Sequence, residues 1–597
     1  MRTWEGKLKR ASLIAAVGAA VSPLILLPAT GSVAATSSSG TAPATTSSVS
    51  YHGSPGSAAR LTQAVSVSSF PVITSIFHNQ GPHVFAPVAA QHSAGSPGSA
   101  AAAPSASANA ALSAGTTSGG SARGGVLHQF NGMDNLISDS LNKTPITPPD
   151  QGLCVGYDAA LKGHPKAVWE PVNIAAQETS PSGRPLRPDV TLSTIFQDQY
   201  AEGDVRCLYD PGTQSFYFTE IGFPVATGPA ADDNNTTVDV TVMNAHGVAA
   251  YQFDTSLGGP AKADCFGDQP KTGFDNNALI VSTDEYCGPT ESNYEGAIVL
   301  TISKPQLVSE AKTVDDSVLG PVSLSGIPVT GLDPAINTGS GTGYLVNSFP
   351  FLLSGANNPV GNSVGSWTLT GTSTVTSGSG SPTLTGTAAP SEPYAFPVPA
   401  TSTGNGSTYT YAGPEGTNTI TSETALNPDD SRMSAPVEVT RTYRGVELWT
   451  ALDAAVTVHG VTTDAAAWFE INPGRSIVTS QGYVVAKGAN LLYPAVQPQQ
   501  RGPAAVVFTI TSKTINPSAA YTMLGSGRIT TVAAGSGPHL SFSDAPPFNS
   551  ARWGDYSFVA PDPDGSGLWL ATEYIPPKAD WDPYDNWGTY VFEVSGR

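Results

Sequence analysis

Gly554-Asp555-Tyr556-Ser557-Phe558-Val559-Ala560-Pro561-Asp562 runs through Pro563-Asp564-Gly565 into Leu568-Trp569-Leu570-Ala571-Thr572-Glu573-Tyr574. A β-rich run on each side of an Asp/Gly/Pro turn reads as a β-hairpin. The same hairpin is written upstream in the same register. Asp268 of Gly267-Asp268 stands as far before Asp275 as Asp555 stands before Asp562, and Asp275 leads into Leu279-Ile280-Val281-Ser282-Thr283-Asp284-Glu285-Tyr286. A third copy is Asp210 followed by Phe216-Tyr217-Phe218-Thr219-Glu220.

Weaker copies complete the series. Cys154-Val155-Gly156-Tyr157-Asp158 leads to Ala167-Val168-Trp169-Glu170, and Gly331-Leu332-Asp333 leads to Tyr344-Leu345-Val346-Asn347. Val437-Glu438-Val439 leads to Glu447-Leu448-Trp449-Thr450, and Tyr493-Pro494-Ala495-Val496 leads to Val506-Val507-Phe508-Thr509. Seven hairpins result, and most intervals leave room for a second one, as in Ala297-Ile298-Val299-Leu300-Thr301-Ile302. Such repetition predicts an all-β chain folded as a single β-propeller of seven blades, each of about four antiparallel strands. A pair of β-sandwich domains is the competing architecture, but sandwiches do not reproduce one hairpin seven times.

Composition agrees. Of 597 residues, 62 are Gly and 50 are Pro, which favours many turns over long helices. Charged residues make up only 12% and the formal charge is −20, so phosphate backbones are repelled and nucleic acid is not an expected partner. Met1 to Arg10 is basic, Ala11 to Leu27 is apolar, and Val33-Ala34-Ala35 are small, which is the plan of a signal peptide over residues 1–35. No later segment offers ~18 consecutive apolar residues, so the mature protein is expected to be secreted, monomeric and without a membrane span. Residues 36–124, rich in Ser, Ala, Thr, Gly and Pro, read as a disordered spacer before a propeller at 125–597. Residues 370–422 read as a low-complexity insertion within it, and deletion of about Ser373 to Thr421 should leave the far-UV spectrum and melting temperature nearly unchanged.

Several motifs taken together carry a resemblance. Pro148-Pro149-Asp150-Gln151-Gly152-Leu153-Cys154, Arg206-Cys207-Leu208-Tyr209-Asp210, Cys265-Phe266-Gly267-Asp268-Gln269-Pro270, Ser431-Arg432-Met433 and Arg552-Trp553-Gly554-Asp555-Tyr556-Ser557 are involved. In these the chain resembles a family of uncharacterised secreted bacterial β-propeller proteins, over about Leu127 to Val594. The resemblance implies a fold and secretion; it brings no catalytic residues.

Four cysteines in a secreted chain imply two disulfides, with three possible connectivities. Cys265 and Cys287 flank one hairpin, and Cys154 and Cys207 open adjacent repeats, so Cys154 to Cys207 and Cys265 to Cys287 is the expected pairing. A zinc site lacks any C-x-x-C spacing.

In a hairpin the start of the first strand and the end of the second share an edge, which would bring Asp268 towards Glu285 and Asp555 towards Glu573. With Asp150 these carboxylates are the candidates for one channel mouth. They could bind Ca²⁺, the one cofactor the sequence offers, or act as an acid/base pair on a glycoside. The plainer reading is that they bond backbone amides and brace the blades. Gly361-Asn362-Ser363-Val364-Gly365 matches G-x-S-x-G but has no strand-turn-helix elbow around it. The aromatic C-terminal region containing Tyr574, Trp581, Tyr584, Trp587 and Tyr590 reads as packing before it reads as a sugar platform. The favoured function is a non-catalytic binding or scaffold protein for an extracellular protein or glycan ligand. The alternative is a hydrolase or lyase that attacks polysaccharide through the channel-mouth carboxylates. Finally, the run from Gly125 to Phe130 and the run from Thr589 to Val594 are expected to meet in one terminal blade.

Overall fold

The structure, a computed structural model, describes residues 48–55, 59–65, 111–114, 125–142 and 146–595, with breaks at 198–202, 223–235, 256–264, 288–292, 350–359, 378–380, 414–415, 434–436, 459, 501, 542–543, 546–549 and 583. The expected signal peptide over residues 1–35 lies outside these residues. The described chain is all-β, with only short helices. Its two disulfides are Cys154–Cys207, with Cα atoms 5.3 Å apart, and Cys265–Cys287, at 4.0 Å. Among the described residues no helix is long and apolar enough to cross a membrane.

Among the described residues, most strands fall into seven successive antiparallel units of four. Unit 1 opens with Cys154–Tyr157, unit 2 with Gly203–Asp210 and unit 3 with Cys265–Phe274. Units 4, 5 and 6 open with Asp333–Ile336, Val437–Thr442 and Asn490–Gln497. Unit 7 is Phe558–Pro561, Gly567–Tyr574, Gly588–Ser595 and then Val126–Asp134, taken from the other end of the chain. Val591 pairs with Phe130 and Phe592 with Gln129, so the two terminal runs meet directly, as their alternation predicts. Parallel bridges Phe274 to Ile336 and Ala335 to Val437 set the opening strands of units 3, 4 and 5 side by side.

Period-2 alternation decides which neighbour each side chain meets. Phe216 and Phe218 pack on unit 1, whereas Tyr217 between them packs on unit 3. Leu279 and Val281 face unit 2, and Ala278 and Ile280 face unit 4. Val506 and Phe508 face unit 5, and Val507 faces unit 7. With both faces covered, strands such as Ser215–Gly222 and Gly567–Tyr574 are buried along their whole length. Seven apolar clusters thus each join two successive units, and the seventh joins Tyr556, Phe558 and Trp569 of unit 7 to Leu153, Val155 and Val168 at unit 1. Each fully buried Val, Leu, Ile or Phe contributes roughly 1.5–3 kcal/mol, so the inter-unit faces are the main source of stability.

The turn aspartates that mark the hairpins have a structural task. Asp210 binds Lys304 of unit 3 (2.8 Å), Asp275 accepts from Thr372 of unit 4 (2.7 Å), and Asp562 binds Lys166 of unit 1 (2.8 Å). Each turn also folds around its own carboxylate, as when Asp275 accepts the amides of Asn277 and Ala278.

Two expectations about low-complexity sequence need correction. Within the expected spacer, Ser48–His52 pairs with Thr383 to Thr387, and Ala59–Val65 pairs with Val248–Asp254. Ser54–Pro55 and Ala111–Ala114 add further edge pairings. Within the expected insertion, Thr383–Ala395 is the fourth strand of unit 4, paired along Val360–Thr370. Its Ser, Thr and Gly residues complete the ladder, and the few apolar residues among them, Leu384, Ala389 and Tyr394, are buried against the neighbouring units. The G-x-S-x-G stretch lies inside the strand Val360–Thr370 and forms no elbow.

Candidate functional site

Five units carry a residue of left-handed φ in or just before the first strand. Asp204, Gln269 and Tyr493 have φ of 51°, 48° and 52°, at a break in strand register, and Gly331 and Gly554, just before the first strands of units 4 and 7, have φ of 59° and 55°. A left-handed non-glycine residue costs about 1–2 kcal/mol. Here it redirects the strand so that Asp204, Arg206, Gln269, Lys271, Asp333, Tyr493, Asp555 and Tyr556 meet in one central polar cluster.

The cluster is built from long-range bonds. Asp150 Oδ1 accepts the Asp555 amide (2.9 Å), and Asp204 Oδ1 accepts the Tyr556 hydroxyl (3.2 Å). Arg552 donates to Asp555 Oδ1 (2.7 Å), and Gln151 donates to the Tyr556 carbonyl (2.9 Å) and to Glu573 Oε1 (3.0 Å). The Arg206 guanidinium lies 3.6 Å from the centre of the Tyr556 ring, and its two terminal nitrogens have no hydrogen-bond partner. One oxygen from each of Asp150, Asp204 and Asp555 falls within 4.8 Å of the other two.

Burial raises the carboxyls here. Asp150 is held well above the ordinary carboxylate range by burial and then by Asp555, and Glu573 by burial, the Gln151 bond offsetting part of the rise. Burial also raises Asp555 to about 6 against the pull of Arg552. Asp268 is raised by burial and by Asp204, while burial lowers Lys271.

Of the five carboxylates singled out from sequence, the structure brings Asp150, Asp555 and Glu573 together and sets Asp268 beside Asp204. Glu285 lies elsewhere. It pairs across the ladder with Gly267, whereas Asp268 pairs with Asp284, so alternation sends Glu285 to the opposite face. There Glu285 accepts from Thr283 Oγ1 (2.5 Å), and burial raises it to about 8. A side chain at Gly267 would crowd it, and one at Gly554 would collide with Glu573 in the corresponding place.

Sequence reasoning missed the segment that covers the cluster. Asn427 donates its amide to Ala551 O (2.7 Å) and accepts from the Tyr493 hydroxyl (2.8 Å), fixing one end. At the other end Ser431 O accepts from Ser348 (2.6 Å) and Met433 O from Lys271 Nζ (2.5 Å). Between them Arg432 pairs with Asp429 (2.6 Å), Asp430 (2.7 Å) and, at 3.7 Å, Asp284. Ser431-Arg432-Met433 was visible only as part of a resemblance; nothing in its composition signals a crossing of four units. The remaining cavity, between Asp429, Asp430, Asp453, Tyr493 and Asp555, has room for about one water molecule.

The aromatic C-terminal region is packed. Trp587 Nε1 donates to Ile146 O (2.7 Å), and Tyr574 and Tyr584 are buried. Asp585 is held by His539 Nε2 (2.9 Å) and Ser541 Oγ (2.8 Å). The serine bonds the aspartate rather than the histidine, so this is not a nucleophile-base pair.

No protein-family model matches the chain, and no curated protein matches it. Among solved structures it is similar to a protein of unknown function from Dyadobacter fermentans, at 9% identity and a TM-score of 0.26 over 56% of this chain and 98% of that one. An endo-arabinase from Bacteroides thetaiotaomicron gives 10% identity and 0.23 over 56% and 95%. Extracellular domains 1–2 of Drosophila Semaphorin 1b give 8% and 0.30 over 80% and 88%. Similarity this remote carries no argument about function.

Proposed function

We propose that the seven units are the blades of a single propeller and that the protein acts outside the cytoplasm as a non-catalytic binding or scaffold protein for an extracellular protein or glycan. In this reading residues 1–35 are a signal peptide and the propeller spans 125–597, with N-terminal strands pairing on its outer edges. The cyclic order of the seven apolar clusters and the shared terminal unit support the propeller; the two disulfides support an oxidising compartment.

One observation carries the functional reading. The carboxylates that would do acid/base chemistry lie beneath the 427–433 segment, against a cavity with room for about one water, where a small-molecule ligand needs ~300 Å³ or more. Asp150, Asp268, Asp555 and Glu573 are bonded to backbone or side-chain donors and serve as braces. Ligand contact then falls to the outer loops. Tyr443, 91% exposed at the first turn of unit 5, lies beside Arg444, whose guanidinium is 5.4 Å from its ring centre. Tyr and Arg are residue types that dominate binding surfaces.

The hydrolase or lyase alternative draws on Asp555, raised to about 6 beside Asp150, and requires residues 427–433 to move away. A panel of glycans and extracellular matrix proteins, read by surface plasmon resonance, tests the binding reading. Saturable binding without cleavage is expected, and absence of binding to the whole panel would count against it.

A further inference from the structure

We propose that the N-terminal strap, Ser48 to Val65, passes between copies of this chain: the seat it fills on its own ring also takes the strap of a second copy. The strap crosses the outer edges of three units in turn. Ser48–His52 pairs with Thr383 to Thr387 of unit 4, Ser54–Pro55 with Ser317 and Val318 of unit 3, and Ala59–Val65 with Val248–Asp254 of unit 2. On units 3 and 4 the seat reads side chains as well as backbone. Alternate residues of Ser48–His52 turn inward, and Val49 and Tyr51 pack on the cluster that holds Leu324, Trp367 and Leu384. Tyr51 Oη donates to Ser323 O (2.7 Å) and accepts the Ser323 amide (2.8 Å). Gly53 donates its amide to Pro382 O (2.8 Å), and a side chain there would collide with Ser317 Oγ. Strand addition with pockets for alternate side chains is a mode of peptide recognition. Here Val49, Tyr51 and Gly53 mark the peptide, and the ring is its receptor.

Peptide and receptor are joined by a long tether. Residues 66–110 separate the strap from Ala111–Ala114, the next described strand, and fully extended they reach on the order of 150 Å. A compact ring of residues 125–597 is about 60 Å across. A strap can therefore lie on a second copy while its own ring stays closed, because the closing strand Val126–Asp134 follows the tether. The contacts made within one chain and between two are the same contacts. Only tether entropy separates the two states, and it acts as an effective concentration of on the order of a millimolar or less. Charge favours the transfer. Residues 36–124 carry Arg60 and Arg123 and no Asp or Glu, whereas the whole chain stands at −20, so a strap is drawn to a second acidic ring. Two copies that trade straps leave none of these strand edges bare.

The exchange does not depend on the ligand proposed above. Ser50 and Thr385 oppose each other across the ladder with hydroxyl oxygens 3.2 Å apart, and all four native cysteines are paired. Full-length Ser50→Cys and Thr385→Cys chains are mixed in equal amounts over a range of concentrations and oxidised mildly, and the disulfide-linked dimers are mapped by mass spectrometry. A link between positions 50 and 385 of different chains is expected. Its yield should rise with concentration and exceed by about tenfold that obtained when Ser50→Cys is mixed with Lys487→Cys, an exposed position outside the seat. The double variant Ser50→Cys/Thr385→Cys should close the same link within one chain at high dilution. Absence of the intermolecular link above the Lys487→Cys background, while the double variant closes its own, would overturn the exchange. A double variant that fails to close would also overturn it, since the strap would then not lie on its seat.

Discussion

Asp150 Oδ1 accepts the backbone amide of Asp555 at 2.9 Å, joining the segment that enters unit 1 to the segment that enters unit 7. The same junction is also held by Gln151, which donates to Tyr556 O and Glu573 Oε1, and by the pair Lys166 to Asp562. Asp150→Ala leaves the buried Asp555 amide without an acceptor and should cost ~1–3 kcal/mol. Asp150→Asn keeps the acceptor and removes a buried charge, so in metal-free buffer its denaturation midpoint should equal or exceed that of the unaltered chain. If the two variants are equally destabilised, the amide bond is not what Asp150 contributes.

Ending the chain after Asn586 removes Gly588–Ser595, the strand between Gly567–Tyr574 and Val126–Asp134. The loss exposes two ladder edges and uncovers Leu568 and Leu570. The truncated chain should melt at least ~10 °C lower or without cooperativity in differential scanning calorimetry. An unchanged transition would mean that the terminal pairing is decorative.

Deleting residues 383–395 should likewise prevent folding, because it strips unit 4 of its fourth strand and uncovers Trp367 and Leu369. Excising only 408–421, a hairpin whose outside pairing is with Leu540–Ser541, should shift Tm by only a few degrees. Far-UV circular dichroism and melting of both variants separate a structural strand from a tolerated loop.

The contrast marks what the sequence makes legible. Hairpins announced by Asp210, Asp275 and Asp562 are visible because turn chemistry and β-rich runs are local. The strand at 383–395 is hidden because its buried apolar residues, Leu384, Ala389 and Tyr394, are thinly spread among Thr, Gly, Ser and Pro and make no period-2 run. In Ser48–His52, Val49 and Tyr51 pack on the same cluster as Leu384 but stand among Ser and His in a low-complexity stretch. At the site, the edge argument groups Asp150, Asp268, Glu285, Asp555 and Glu573; Asp150 bonds the Asp555 amide and Gln151 bonds Glu573, whereas Glu285 stands on the opposite face of its ladder from Asp268, a distinction an edge argument ignores. Asp204 and Asp453 carry no local signal; one depends on a left-handed turn and the other on packing from unit 5.

Stability should fall as pH rises. Unfolded carboxyls ionise near pH ~4, whereas burial holds Glu285, Glu438 and Asp464 up to about 8 in the folded chain. Between those values the folded state binds more protons than the unfolded state, so their contribution is complete below about pH 4 and is lost as pH rises through about 8. Tm should therefore be higher at pH 5.5 than at pH 9, and Glu438→Gln should flatten the dependence. A Tm that rises over this interval would contradict the assignment.

The central claim is that the buried carboxylates brace a closed ring and do not cleave a substrate. Release of new reducing ends or unsaturated products from a panel of polysaccharides, followed with the full-length mature chain in the presence of Ca²⁺, tests it most directly. No release above the protein-free blank is expected. Turnover that is retained on purification and lost in a folded Asp555→Asn variant would contradict the claim and make the cluster an active site.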